Sequence, residues 1–144
     1  MPLMRSTFHS SILICLTFAG GAFAQTANYT SVDAIAGSQV QVGYHGTVNK
    51  NCTAAPIPTI RVLEPPSFGT LSVKTGTITT DRVSGCERLQ VPALILFYTA
   101  KQGYAGNDKV VYGVADAKGQ VNTYDVTIRV KPAPAPSTSS QNQL

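Results

Sequence analysis

From residue 39 onward, apolar side chains recur at every second position, in runs separated by Gly, Pro, Asn and Asp. Val40, Val42 and Tyr44 fall on one face, with Gln39 and Gln41 on the other. Ile60 and Val62 flank Arg61, and Leu71 and Val73 alternate with Ser72 and Lys74. Leu94-Ile95-Leu96-Phe97-Tyr98 is apolar on both faces and reads as a central strand. Val110, Tyr112 and Val114 follow. The longest run is Tyr124, Val126, Ile128 and Val130, interleaved with Thr123, Asp125, Thr127 and Arg129. A slip of one residue would turn that whole apolar set to solvent, so its register is well specified. No segment carries the 3.6-residue period of an amphipathic helix.

The separators are turn formers with a mechanism. Glu64-Pro65-Pro66-Ser67-Phe68-Gly69 interrupts any strand, because proline cannot donate to a ladder. Gly103 and Gly106 can adopt positive φ at little cost. Asp116-Ala117-Lys118-Gly119 suits a short hairpin, with the aspartate bonding back to its own backbone and Gly119 supplying the left-handed position. Seven or so short strands at this spacing predict an all-β, immunoglobulin-like antiparallel sandwich. The intersheet disulfide and buried tryptophan of antibody domains are not evident; the chain has no tryptophan.

Both ends fall outside this pattern. Residues 1–24 place Arg5 ahead of the apolar run Ile12–Ala19 and close on Ala22-Phe23-Ala24, a small-x-small site before Gln25. This is the pattern of a cleaved secretory signal. The apolar run is shorter than the roughly 20 residues a spanning helix needs, so no stable membrane span is expected after cleavage. Cys15 follows Ile14, which is not the small residue that a lipid-attachment signal wants. Residues 132–144 alternate Pro with Ala and then turn polar, which predicts a disordered tail. The sandwich is therefore expected over residues 25–131.

The formal net charge is +4, but the basic residues are spread from Lys50 to Lys131 without a cluster. A nucleic-acid surface would concentrate them, so no nucleic-acid partner is expected. Beyond the signal, the cysteines are Cys52 and Cys86 and the histidine is His45. An even pair of cysteines in an exported chain reads as one disulfide, here stapling loops or edges. The closed loop of about 35 residues would contribute on the order of 3–4 kcal/mol. The alternative is that one of them is a free reactive thiol.

Tyr98-Thr99, then Gly103-Tyr104-x-Gly106-x-Asp108, then Tyr112-x-Val114-x-Asp116-x-x-Gly119, resembles the cadherin-like, Ig-like repeats of bacterial surface proteins and adhesins. Pro66-Ser67-Phe68-Gly69-Thr70-Leu71 is similar to the Pro-x-x-Gly-Thr-Leu turn of the same repeats. The likeness covers roughly residues 65–130. Ala100 stands where those repeats usually have proline, the stretch from Val73 to Pro92 is longer and carries Cys86, and a single copy replaces the usual tandem array. The resemblance implies a binding or structural module without catalysis or cofactor. Some relatives bind calcium at repeat junctions, which makes Asp108 and Asp116 candidate ligands. Two carboxylates on separate turns supply few of the six to eight oxygens calcium takes. The structural reading of both is acceptance of turn N–H groups. Tyr104 is either a ligand platform or a plug for the sandwich end.

Ser84-Gly85-Cys86-Glu87-Arg88 resembles in part the cysteine motif of L,D-transpeptidases, with glycine just before and arginine two after. The serine those enzymes carry three positions before the cysteine is Val83 here. A nucleophilic thiolate needs a base, and His45 is the candidate. Glycoside hydrolysis needs two facing carboxylates, and the glutamates are only Glu64 and Glu87. No His/Cys set has zinc spacing. The sequons at Asn28 and Asn51 matter only in a eukaryotic secretory route, and the short signal and the resemblance both indicate bacteria. The expectation is a periplasmic or secreted, non-enzymatic module that contacts an envelope protein or polysaccharide. A cysteine-dependent cell-wall enzyme and an accessory or inhibitor subunit are the alternatives, the latter favoured by an exposed apolar patch.

Overall fold

The computed structural model describes residues 27–136. The signal pattern and most of the tail lie outside these residues; residues 132–136 carry no strand and are exposed. Seven strands follow one another: β1 (Ala27–Ile35), β2 (Gln39–Gly46), β3 (Thr59–Glu64), β4 (Gly69–Thr80), β5 (Leu89–Ala100), β6 (Gly106–Ala115) and β7 (Val121–Lys131). They form a four-stranded sheet ordered β1-β7-β6-β3 and a three-stranded sheet ordered β2-β5-β4. This is an all-β sandwich with immunoglobulin-like strand order, its first strand carried on the sheet of the last.

The core takes residues from both sheets. Val42 of β2 and Leu96, Tyr98 and Ala100 of β5 meet Val110, Tyr112 and Val114 of β6 and Val126, Ile128 and Val130 of β7. In β7 the buried residues alternate with exposed Thr127 and Arg129, as the period of two requires. The apolar run of β5 is the centre of its sheet, paired with β2 on one side and β4 on the other.

Four features depart from the simple pattern. First, β1 pairs with β7 in parallel, so the sandwich is not wholly antiparallel. Ala27–Ile35 escapes sequence detection because only Val32 and Ala34 turn inward while Tyr29 is exposed. On its solvent face Asp33 binds Arg129 at 2.8 Å and Lys131 at 2.7 Å.

Second, β2 carries a bulge. Gln41 pairs with Phe97 and Gly43 with Leu96, leaving Val42 as the extra residue. The inward parity changes there. Tyr44 does not share the face of Val40 and Val42, as simple alternation predicts; it is 40 % exposed, and His45 turns inward instead.

Third, β4 and β5 extend as a long hairpin through Thr80 and Leu89. Gly76 and Pro92 obscure this in the sequence. The pairing of β2 ends opposite Ala93, so Pro92 sits just where one side of β5 becomes free. Val91 and Ala93 are fully buried there, outside the main core, beneath the closely packed Gly46.

Fourth, the edge residues of two alternating runs stay largely in solvent. Ile60 and Leu71 pack against the core, whereas Val62 and Val73 are exposed on β3 and β4.

Candidate functional site

Cys52, in the β2–β3 connection, and Cys86, in the β4–β5 connection, form a disulfide with Cα atoms 5.5 Å apart. The bridge staples two loops rather than the two sheets, as expected. Neither sulfur is a thiolate, so the chemistry that the transpeptidase likeness requires of Cys86 has no nucleophile at that position.

The predicted carboxylates are turn acceptors. Asp108 is buried, and all four of its lone-pair sites are taken. Oδ1 accepts the Ser67 and Lys109 N–H groups, both at 2.9 Å. Oδ2 accepts the Phe68 N–H at 2.8 Å and the Tyr98 hydroxyl at 2.9 Å. Burial pushes its pKa up, but these four donors outweigh burial and hold the carboxyl below its ordinary value. The same environment raises the Tyr98 hydroxyl well above a free phenol, through burial first and its hydrogen bond to Asp108 second. A calcium ion at Asp108 would have to displace these bonds. Asp116 accepts Lys118 N–H at 2.8 Å and Gln120 N–H at 2.9 Å, closing the β6–β7 hairpin with Gly119 at φ 80°. Among the described residues no group of three or more His, Cys, Asp or Glu side chains is placed to hold a metal.

Tyr104 plugs the same end of the sandwich as Asp108. Its ring stacks on Phe68 with centroids 4.2 Å apart, and its hydroxyl donates to the Asn107 carbonyl at 2.6 Å.

The open chemistry lies toward the opposite end, and it centres on His45. The β2 bulge turns its ring inward, onto the cross-strand pair Tyr112 and Tyr124. His45 Nε2 is 3.0 Å from the Tyr112 hydroxyl, a hydrogen bond whose donor is set by the imidazole tautomer. The ring of His45 lies 4.6 Å from that of Tyr124, and the two tyrosines stack at 5.3 Å. Gly43 makes this possible: a Cβ there would come within 2.5 Å of the Tyr112 hydroxyl oxygen. Burial pushes the Tyr112 phenol up to about 12 and the His45 imidazole down, so both are neutral near pH 7.

Two adjoining cavities open beside this cluster. One of about 390 Å³ is lined by Asn28, Thr30, Tyr44, His45, Arg82 and the two tyrosines, among others. The other, of about 350 Å³, shares Tyr44, His45 and Arg82 and continues over Thr47, Thr80 and Val83. Arg82 makes no ion pair among the described residues. Its loop is anchored: Arg82 N–H donates to Thr80 Oγ1 at 3.2 Å, Arg88 N–H donates to Asp81 at 2.7 Å, and Cys86 is bonded to Cys52.

Of the residues singled out in the sequence, Asp108 and the Pro66–Gly69 turn are brought together, while Asp116 stands alone in its hairpin. His45 is weighed there only as a base for Cys86, Tyr44 is placed on the face of Val40 and Val42, and Arg82 is passed over. The one sequence signal for this cluster is Gly43, a strand glycine next to Tyr44-His45, which marks a bulge or a close approach.

A third opening, of about 410 Å³, lies on the outer face of the four-stranded sheet, where exposed Leu63 and Val121 flank Gly113.

The chain matches no protein-family model and no curated protein. Among solved structures it is similar to the solution structure of Amebosin, at 11 % identity and a TM-score of 0.39, over 74 % of this chain and 100 % of that one. A likeness at that level leaves the fold to rest on the strand order itself.

Proposed function

We propose that this chain is an exported, non-enzymatic Ig-like module of the bacterial cell envelope, cadherin-like in its motifs, that acts by binding an envelope polysaccharide or protein. The observation that carries the reading is the open cleft of Tyr44, His45 and Arg82 mounted on a stapled sandwich. Concave sites with aromatic walls and a few placed polar groups are where small ligands and chain segments bind. The disulfide supports an oxidising compartment, and the signal pattern of residues 1–24 supports export to it. The cadherin-like reading is supported by the contact between its two motifs: the Asp108 carboxylate is the acceptor for the Ser67 and Phe68 N–H groups.

The test is sedimentation of the mature chain, from Gln25, with isolated envelopes of a bacterium that encodes it. Saturable co-sedimentation is expected, and a chain that stays in the supernatant would contradict the proposal. The accessory-subunit reading is favoured by one observation, the exposed Leu63 and Val121 beside Gly113. In that case the partner is a protein, and protease treatment of the envelopes abolishes sedimentation. The cysteine-enzyme reading is not carried forward, because it needs Cys86 as a thiolate.

A further inference from the structure

We propose that the paired cavities around Arg82 bind an acidic polysaccharide, with the Arg82 guanidinium taking a sugar carboxylate. This rests on the reading of the chain as a binding module and names its ligand class.

The argument is one of charge and shape. No aspartate or glutamate lines either cavity, and Arg82 is the cation at the point they share. A guanidinium presents a planar fork that matches a carboxylate with two parallel hydrogen bonds. Arg82 is free to do so, since it has no ion-pair partner among the described residues. Without Arg5 of the signal the mature chain keeps ten Lys and Arg against seven Asp and Glu, a net charge of +3 that adds a long-range attraction for a polyanion.

The walls suit a sugar ring. A pyranose has an apolar C–H face and a rim of hydroxyls. Tyr44, turned outward by the β2 bulge, offers the ring that such a face packs on. Asn28, Thr30, Thr47 and Thr80 supply donors and acceptors for hydroxyls on the two sides of Arg82. Two cavities of similar size, about 390 and 350 Å³, flank the shared cation, as two successive sugar units on a chain would require. The disulfide gains a second role here, because it fixes the loop that carries Arg82.

The experiment is isothermal titration of the mature, oxidised chain with an oligogalacturonate, a neutral cello-oligosaccharide of equal length, and poly-glutamate. The expected result is binding of the uronate at least tenfold tighter than of the other two. Arg82→Gln and Tyr44→Ala alter exposed side chains, and each should weaken uronate binding at least tenfold while the thermal melt stays that of the parent. Lys101→Gln, in the β5–β6 turn, should leave binding unchanged. The proposal falls if the parent does not bind the uronate, if poly-glutamate binds as tightly, if the Arg82 variant binds as the parent does, or if Lys101→Gln costs as much. A chain that ignores the uronate yet sediments with envelopes would sink this inference alone; one that does neither would sink the binding-module reading with it.

Discussion

The Tyr98 hydroxyl donates to Oδ2 of Asp108 at 2.9 Å, joining the central strand of the three-stranded sheet to β6 of the other. The same carboxylate holds the Pro-Pro-Ser-Phe turn through two backbone N–H groups. One buried anion thus ties the consecutive strands β5 and β6 to a turn about 40 residues earlier in the chain. Asp108→Ala leaves those donors buried without an acceptor and should cost about 3–4 kcal/mol; Tyr98→Phe, which removes one donor, should cost about 1–3 kcal/mol. Chemical denaturation measures both, and a double variant that costs less than the sum of the two would show their coupling. Because the folded carboxyl is held below its unfolded value, its stabilisation is present above about pH 4 and is lost as pH falls through the folded pKa. In Asp108→Asn that acid-dependent loss should be smaller.

Two glycines of the resemblance motifs should respond differently to alanine. A Cβ on Gly69 would run into the ring of Tyr98 and the Thr99 carbonyl. Tyr98 is fully buried and cannot give way, so Gly69→Ala should cost about 3 kcal/mol. At Gly103 nothing lies within 4 Å, and the cost is only that of φ +74° for an L-residue, roughly 1 kcal/mol. Equal melting temperatures for the two variants would contradict this assignment.

His45 makes stability depend on pH in a second window. Burial lowers its pKa in the fold, so the unfolded chain binds the proton more readily. The groups facing it are Tyr112 and Tyr124, with Tyr44 and Arg82 along the cavity, and none is a carboxylate. Stability should therefore hold above about pH 6.5 and decline as pH falls below it. His45→Gln should flatten that decline in melts recorded between pH 5 and 7. Titration of Tyr112 works in the other direction: its raised pKa of about 12 removes stability as pH rises above about 10.

Much of the fold was legible because burial in a sheet writes itself as alternation. The β7 run and the β6 run needed no other information, and the Asp116–Gly119 hairpin could be read from its turn chemistry. The misreadings share a physical cause. A bulge shifts parity by one residue, and nothing local marks which of Val42 or Gly43 is extra, so Tyr44 and His45 exchange faces. An edge strand that buries only Val32 and Ala34 has too little apolar signal to stand out, which hid β1. Arg82 joins His45 only through the long β4–β5 hairpin, a tertiary relationship beyond the reach of sequence spacing.

The disulfide closes a loop across 34 residues of sequence separation. Replacing both Cys52 and Cys86 by serine should lower stability by about 3 kcal/mol, with a melting temperature roughly 10–20 °C lower. The core strands do not depend on the bridge, so far-ultraviolet circular dichroism should keep its β signature below the transition. A variant that melts with the parent would show that the staple does not constrain the unfolded chain.

The most direct test of an exported, stapled binding module is the intact mass of the protein recovered from its native host's envelope and medium, alkylated without reduction. The account predicts a chain that starts at Gln25, with Cys52 and Cys86 joined and no alkyl group added. A chain retained in the cytosol with its first 24 residues and two alkylated thiols would contradict it.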